Sequence, residues 1–584
     1  MIREAFRVLL VDATLGKGKV LQLDGRNEVV GGSGLAAMLF DTYGSPELAW
    51  NDESQPIIFA IGPLTGYFPL MSKMVCSFKS SYHNEYTESH AGGRAALSLQ
   101  FTDLDALVIV GRAKQLSVLS IGAHHLDVQE ASFLRGMDAE SSGKLIRRMF
   151  KSGSGHRSIM RIGPAGETGS AMACINVDSY RHFGRMGGGA ALGAKNIKGI
   201  VIHGDSDFEI PAGGEYTKVY EDVYRQVTST DMMRKYHNLG TPANLQGLND
   251  IQSLPWRNLQ QSSDPGIATI TGTSFADETL LRNGACSGCP VGCIHIGFIR
   301  EKMQDNRYHY NQVAYDYEPI FAAGTMLGIT NSFDVLRILD VMEKVCLDAM
   351  SGGVALAWAT EAMEKGLIST KETLVPLRFG DAGSYLQAAN YLGRGTNDFY
   401  RLLGQGSLKA AKVYGGGDFA CVLGQEMAGY ATGELFFAAQ SLGFRHSHLD
   451  TGAYSYDQKN STKDVKKAVD FLINDEPGRA YLTSMVSCLF ARSVYTNEQL
   501  SECLESVGLT TLATTIPETA EHIRMLRWRV RVQTGFDPEN YTVPKRFYQV
   551  KTWKGQVDKK YLDDLKKEYG RRIQAIVAEG DEKG

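Results

Sequence analysis

Three cysteines crowd into the segment Ala285-Cys286-Ser-Gly-Cys289-Pro-Val-Gly-Cys293, and no other feature constrains this chain as strongly. Gly288, Pro290 and Gly292 supply the bends that let thiolates at x2 and x3 spacing point at one centre. Soft ligands converging in this way suit an iron–sulfur cluster. A zinc site is the sharper rival and three unrelated buried thiols the bland one. Nine cysteines in 584 residues are too few for a disulfide scaffold, so the clustering points to a metal site in a reducing compartment. A fourth ligand must come from elsewhere. Cys76, Cys174, Cys346, Cys421, Cys488 and Cys503 are all available, and spacing alone does not choose among them.

A chain of this length exceeds what one hydrophobic core supports, so several packed domains able to enclose a large cofactor are expected. With a net charge of −4 there is no broad field to attract nucleic acid or anionic lipid. Apolar runs such as Leu107-Val-Ile-Val110 are interrupted well short of the roughly 18 residues of a membrane span. Met1-Ile-Arg-Glu-Ala-Phe-Arg7 leads straight into a strand-like run without the regions of a secretory signal, which favours a cytoplasmic protein.

The fold class expected is α+β. A β-rich, cofactor-supporting domain over residues 1–210 comes first, with strands at Phe6–Val11, Lys19–Leu23, Pro56–Ile61, Lys73–Lys79, Ala106–Val110 and Ile200–His203. Two mainly helical domains follow. Residues 211–420 carry the cysteine loop, and Val335, Leu336, Ile338, Leu339, Met342 and Leu347 mark a helix over Ser332–Met350. Residues 421–584 carry Cys488, a loop-rich stretch from Gly424 to Asn460, and helices over Asp464–Asn474 and Glu518–Val530.

Four segments are dense in glycine: Gly31–Gly34, Gly62–Gly66, Gly92-Gly93-Arg94, and Gly184-Arg185-Met-Gly187-Gly188-Gly189 followed by Lys195. Consecutive backbone N–H groups without side chains can cradle phosphate oxygens, and Arg94, Arg185 and Lys195 could add charge. Ordinary tight turns explain any one of them equally well. Gly32-Ser-Gly34-Leu-Ala-Ala37 also fits a dinucleotide fingerprint, but the next strand ends in Gly62-Pro63 where an acid for the ribose is needed, so NAD is disfavoured.

Several of these segments in one order resemble the aldehyde:ferredoxin oxidoreductase family of tungsten–pterin enzymes, over nearly the whole chain. They are the opening strand with its glycine turn, Gly62-Pro-Leu-Thr-Gly66, Gly92-Gly93 leading to Asp103–Gly111, Ile162-Gly-Pro-Ala-Gly-Glu167, Gly193–Ile200 and the cysteine loop. Ile523–Trp528, Gly535-Phe536 and Pro544–Phe547 close the series. The resemblance implies tungsten held by two pterins whose phosphates share Mg2+, beside one [4Fe–4S] cluster. It also implies cofactor contacts at Lys73, His90, Arg185 and the glycine pairs Gly92-Gly93 and Gly187-Gly188. Lys73 and His90 stand where arginine and asparagine are usual.

Two pterin motifs of the form Asp-x-x-Gly-Leu-(Asp/Cys) are altered here. The first reads Glu343-Lys-Val-Cys346-Leu347-Asp348, which keeps both acids and loses the glycine; the second reads Thr483–Cys488, where only the cysteine survives. By resemblance Cys488 is the fourth cluster ligand, with Cys503 next. Tyr317-Glu318-Pro319 and His446-Ser-His448-Leu449 resemble the family's active-site acid and histidine, and such groups can pass protons as electrons leave; alternatively, Glu318 opens a helix and His448 is a core residue. The implied function is oxidation of an aldehyde to a carboxylic acid, with Glu318 accepting a proton, His448 holding the carbonyl oxygen, and ferredoxin or a ferredoxin-like subunit taking electrons in a homo- or hetero-oligomer. The alternatives are the tungsten subunit of an aromatic acyl-CoA reductase and a pterin-free iron–sulfur carrier.

Overall fold

The computed structural model describes residues 3–151, 156–303 and 306–583. Its N-terminal part is two six-stranded sheets. The first has the order β2-β1-β6-β3-β4-β5, from β1 (Phe6–Asp12), β2 (Lys17–Leu23), β3 (Ile57–Ala60), β4 (Met74–Lys79), β5 (Tyr86–Ala91) and β6 (Ala106–Val110). The second has the order β11-β10-β9-β12-β7-β8, from β7 (Ser117–Ile121), β8 (Leu126–Glu130), β9 (Arg157–Arg161), β10 (Ile175–Val177), β11 (Arg181–Phe183) and β12 (Ile197–His203). The two-residue period of a strand explains the layering. Leu107 and Ile109 of β6 face the second sheet and share a core with Leu119, Met160 and Ile200, while Ala106 and Val108 face the helical part. A strand buried on both faces needs an unbroken apolar run, which Ala106–Val110 provides.

The rest of the chain is mainly helical. A three-stranded antiparallel sheet interrupts it, with β13 (Leu280–Gly284), β14 (Ile294–Lys302) and β15 (Tyr308–Tyr315) in that order. The helix expected over Ser332–Met350 stops at Val345 because Cys346 takes a left-handed conformation (φ 55°, ψ 50°), and a second helix, Ala349–Glu364, starts beyond Asp348. The stretch 424–460, expected as loop, holds helices Glu434–Leu442, buried throughout, and Ala453–Lys459, half-buried. The continuous burial of the first leaves little of the apolar and polar alternation by which a surface helix is recognised. Among the described residues no helix is long and apolar enough to cross a membrane.

Helix Gly32–Tyr43 lies against the first sheet and packs on helices Val465–Ser484 and Ile516–Gln533. Close approach there depends on glycine. A Cβ at Gly32 would lie 2.4 Å from the Thr483 carbonyl oxygen, and one at Gly62 would lie 2.6 Å from that of Met485. These two loops therefore face protein backbone, not an anion.

Across the same seam Arg527 donates to both carboxylate oxygens of Glu88 on β5, at 3.0 and 3.1 Å, and both side chains are almost fully buried. Burial pushes the Glu88 carboxyl up, but Arg527 and then His90 outweigh it and hold it well below the usual carboxylate range. Breaking a buried pair by removing one partner strands a charge and costs roughly 3–5 kcal/mol. Arg527→Leu is therefore expected to lower the thermal unfolding midpoint by several degrees, measured by circular dichroism on the same preparation as wild type. An unchanged midpoint would show that this pair does not hold the sheet to the helical part.

Candidate functional site

One cavity of about 460 Å3 lies where the first sheet, the cysteine loop and the helical part meet, and Cys286, Cys289, Cys293 and Cys488 all line it. Three chain segments are stitched together around these sulfurs. Ser287 N–H donates to the Gly93 carbonyl at 2.9 Å, Cys488 N–H to Leu70 at 3.0 Å, and Lys73 N–H to Val486 at 3.1 Å. Within the loop Gly288 and Gly292 take positive φ (69° and 64°), the bends that aim the thiols inward. Among the described residues no group of three or more His, Cys, Asp or Glu side chains could hold a single metal ion.

The charge around the sulfurs favours thiolate at Cys286. Burial raises the Cys286 thiol, but Lys73 and Arg181 outweigh it and bring it below its ordinary value. Lys73 responds in kind: burial lowers its ammonium, and nearby Cys488 and Cys286 more than restore it. Cys289 and Cys293 are pushed up by burial to about 12 and about 11. A Cβ at Gly92 would meet the Cys286 Sγ at 2.6 Å and the Lys73 Nζ at 3.2 Å, so only a bare backbone fits between them.

A second set of groups lines the same cavity. On β5, Glu88 and His90 point the same way because they are two residues apart. His90 Nε2 lies 3.1 Å from Glu88 Oε2, and Arg445 Nη1 lies 3.1 Å from His90 Nδ1. Burial, then the Arg445 charge, lowers the His90 imidazole to about 4, so it is neutral at physiological pH. Arg445 is fixed in turn by Asp450, whose Oδ1 accepts from Nε at 2.8 Å. On the opposite wall Arg185 donates to Asp348 Oδ2 at 3.2 Å and to the Glu426 carbonyl at 2.5 Å, and Asp348 caps helix Ala349–Glu364. Glu343 binds His182 at 2.6 Å and Asn176 at 3.0 Å. Leu347 completes this wall.

The Glu318 carboxylate lies at the start of helix Tyr317–Ala323. Its Oε1 accepts from the Tyr430 hydroxyl at 2.8 Å and lies 3.0 Å from His448 Nε2. Burial raises the Glu318 carboxyl, but the His448 and Tyr430 hydrogen bonds together leave it below its ordinary value. His448 Nε2 lies against Glu318, and its Nδ1 is buried without a partner.

Thus Lys73, His90, Gly92, Arg185, Glu343, Leu347, Asp348, Glu318, His448 and the four cysteines line one cavity. The remaining glycines stand behind its wall. A Cβ at Gly188 would press on the Phe78 ring at 3.0 Å, one at Gly187 would meet the Ser81 Oγ at 2.0 Å, and one at Gly93 would meet Val177 at 3.3 Å. Their loops owe glycine to packing. Lys195 is spent on the carbonyls of Glu53 and Gly111, and Arg94 is exposed. Asp316, Arg181, His182, Arg445 and Tyr430 also line the cavity and were not picked out from the sequence, although Asp316 stands two residues before Glu318 and Arg445 three before His448.

The cavity fits an anionic, sulfur-ligated cofactor. Four thiols converge at one end. Arg181 Nε and Arg185 Nη1 are buried at its wall without a hydrogen-bond partner, and such donors are costly unless something accepts from them.

The N-terminal domain of aldehyde ferredoxin oxidoreductase matches residues 8–204, and domains 2 and 3 of that family match residues 218–572. The chain is 26% identical over 564 residues to the tungsten-containing aldehyde ferredoxin oxidoreductase of Pyrococcus furiosus, covering 93% of this chain and 91% of that one. It is 24% identical over 522 residues to the aliphatic sulfonate oxidoreductase, WOR-like subunit, of the same organism, covering 84% and 79%. Among solved structures, a chain of the active site complex BamBC of benzoyl coenzyme A reductase with 1,5-dienoyl-CoA superposes with a TM-score of 0.82 at 17% identity, over 99% of this chain and 98% of that one.

Gly92→Ala tests the crowding at the sulfurs. The added methyl is expected to cut bound iron to less than about half of wild type, by metal analysis of anaerobically purified protein, with the circular dichroism spectrum unchanged. Full iron content would show that the Cys286 side chain moves aside at no cost.

Proposed function

The chain belongs to the aldehyde ferredoxin oxidoreductase family, and on that premise we propose that it oxidises an aldehyde to a carboxylic acid and exports the electrons through a [4Fe–4S] cluster to ferredoxin or a ferredoxin-like subunit. The observation that carries this reading is the Glu318–His448–Tyr430 cluster in the cavity that the four cysteines also line. Cys286, Cys289, Cys293 and Cys488 would ligate the cluster. Arg181 and Arg185, with their unpartnered donors, would hold the anionic part of a tungsten–pterin group, and Asp348 would share its Mg2+. That group supplies the two-electron redox chemistry when bound.

The protein's own part is to orient substrate and move protons. Glu318 is held ionised by its two hydrogen bonds and can take a proton from the attacking water. His448, in contact with the same oxygen, stabilises the carboxylate before transfer and can relay the proton afterwards. The Tyr430, Tyr454 and His448 rings line this end of the cavity, with Tyr430 4.9 Å from Tyr317 and 5.1 Å from Tyr454. This aromatic wall limits the water that reaches the reacting carbon.

Glu318→Gln keeps the shape and removes the base. Its kcat for aldehyde-dependent viologen reduction is expected to fall by roughly 10²–10⁴-fold, with tungsten and iron contents unchanged. Cys289→Ala and Cys488→Ala should instead lose iron and the reduced-cluster EPR signal. Full activity in Glu318→Gln would remove the carboxylate from the mechanism. A wild type inert to every aldehyde but active on aromatic acyl-CoA thioesters would move the reaction to that class.

A further inference from the structure

Aldehyde oxidation leaves more protons in the cavity than one base can hold. Aldehyde and water give carboxylic acid, two electrons and two protons. The C–O bond forms from water, whose proton goes to Glu318. When the aldehyde C–H bond breaks, its electron pair would go to the two-electron oxidant that a bound tungsten–pterin group supplies, and its proton still needs an acceptor.

Asp316 is the one other carboxyl that shares both the cavity and the helix start with Glu318. It occupies the N-cap position of helix Tyr317–Ala323, where an aspartate ordinarily accepts from backbone N–H groups of the first turn. Here it accepts none, and the first N–H of that helix, at Tyr317, is taken by the Thr241 hydroxyl at 2.9 Å. Its carboxyl has no ion pair or hydrogen bond among the described residues, and Asp316 lines the cavity. Such a group inside a protein is costly unless it can be neutral.

We propose that Asp316 is the second proton acceptor of this site, taking the proton released from the aldehyde carbon while Glu318 holds the one from water. This rests on the aldehyde-oxidising reading given above. The electrostatics agree with the placement. Burial first, then the Glu318 charge, pushes the Asp316 carboxyl up to about 7 against the opposing pull of Arg181, His182 and Lys73. Two neighbouring carboxyls held apart in this way divide the work of acid and base. Glu318 is ionised and ready, whereas Asp316 loads and unloads near neutral pH.

The test uses Asp316→Asn and Asp316→Glu in the holoenzyme, with tungsten and iron measured on each preparation. Asp316→Asn is expected to lower kcat on the order of 10²-fold with metal contents unchanged. An acceptor must be ionised to work, so the wild-type rate should rise with pH through about 7, and this limb should vanish in Asp316→Asn and return in Asp316→Glu. A residue that only shapes the helix start would leave the pH profile in place, and wild-type kcat with an unchanged profile in Asp316→Asn would overturn the proposal. Infrared difference spectra across neutral pH give a readout independent of turnover. A carboxylic-acid stretch in wild type that is missing in Asp316→Asn supports a proton-holding Asp316, and its absence from wild type overturns it. A wild type that turns over no aldehyde sinks the oxidation reading, and the infrared result then decides alone for or against a titrating Asp316.

Discussion

A thiol pressed into a water-poor cavity resists ionisation, and Lys73 and Arg181 are the two cations that oppose this where the sulfurs gather. Burial raises Cys289 and Cys293, whereas at Cys286 these two cations overcome it. They come from different sheets, Lys73 from the segment leading into β4 and Arg181 from the first residue of β11. Neither sheet alone could deliver both, so the face-to-face pairing of the sheets is a condition for the sulfur site. The cations in turn depend on the thiolates, since Lys73 recovers through Cys488 and Cys286 what burial takes from it.

From this arrangement the division of the cavity follows. The sulfur end is basic, the Arg185–Asp348 and His182–Glu343 walls are charge-paired, and the Glu318–His448 end is aromatic and acidic. His90 is the hinge between them, held neutral between a buried carboxylate and Arg445. A neutral imidazole can face an anion without adding charge of its own.

The architecture was legible because its signals are local. The run Ala106–Val110 reads as a strand buried on both faces, and the cysteine loop carries its own bends. Short strands such as β10 and β11 were missed since three residues offer no period to detect. The break at Cys346 was missed because nothing in Val345-Cys346-Leu347 announces a left-handed residue; glycine would have. Of the candidate site, Lys73, His90, Gly92, Arg185, Glu318, His448 and the four cysteines were legible as motifs and line the cavity, whereas residues brought in by long-range placement carry no local signal. Arg181 reaches the thiols, and Arg445 reaches His90, only because the chain folds back across hundreds of residues. Glycine gave the converse error: the same residue that cradles an anion also lets two backbones touch, as Gly32 and Gly62 do against Thr483 and Met485.

That backbone contact has a temporal meaning. Gly32 and Gly62 are made early, but the turn they receive, and the Cys488 it carries, emerges only after more than four hundred further residues. During translation the sheets and the cysteine loop exist for a time with three sulfurs and an unfilled seat. A chain in that state has three of the four sulfurs, and the cavity wall is completed only when the segment carrying Cys488 docks. Closure of the site is thereby tied to completion of synthesis, since a chain ended before Cys488 lacks part of the cavity wall.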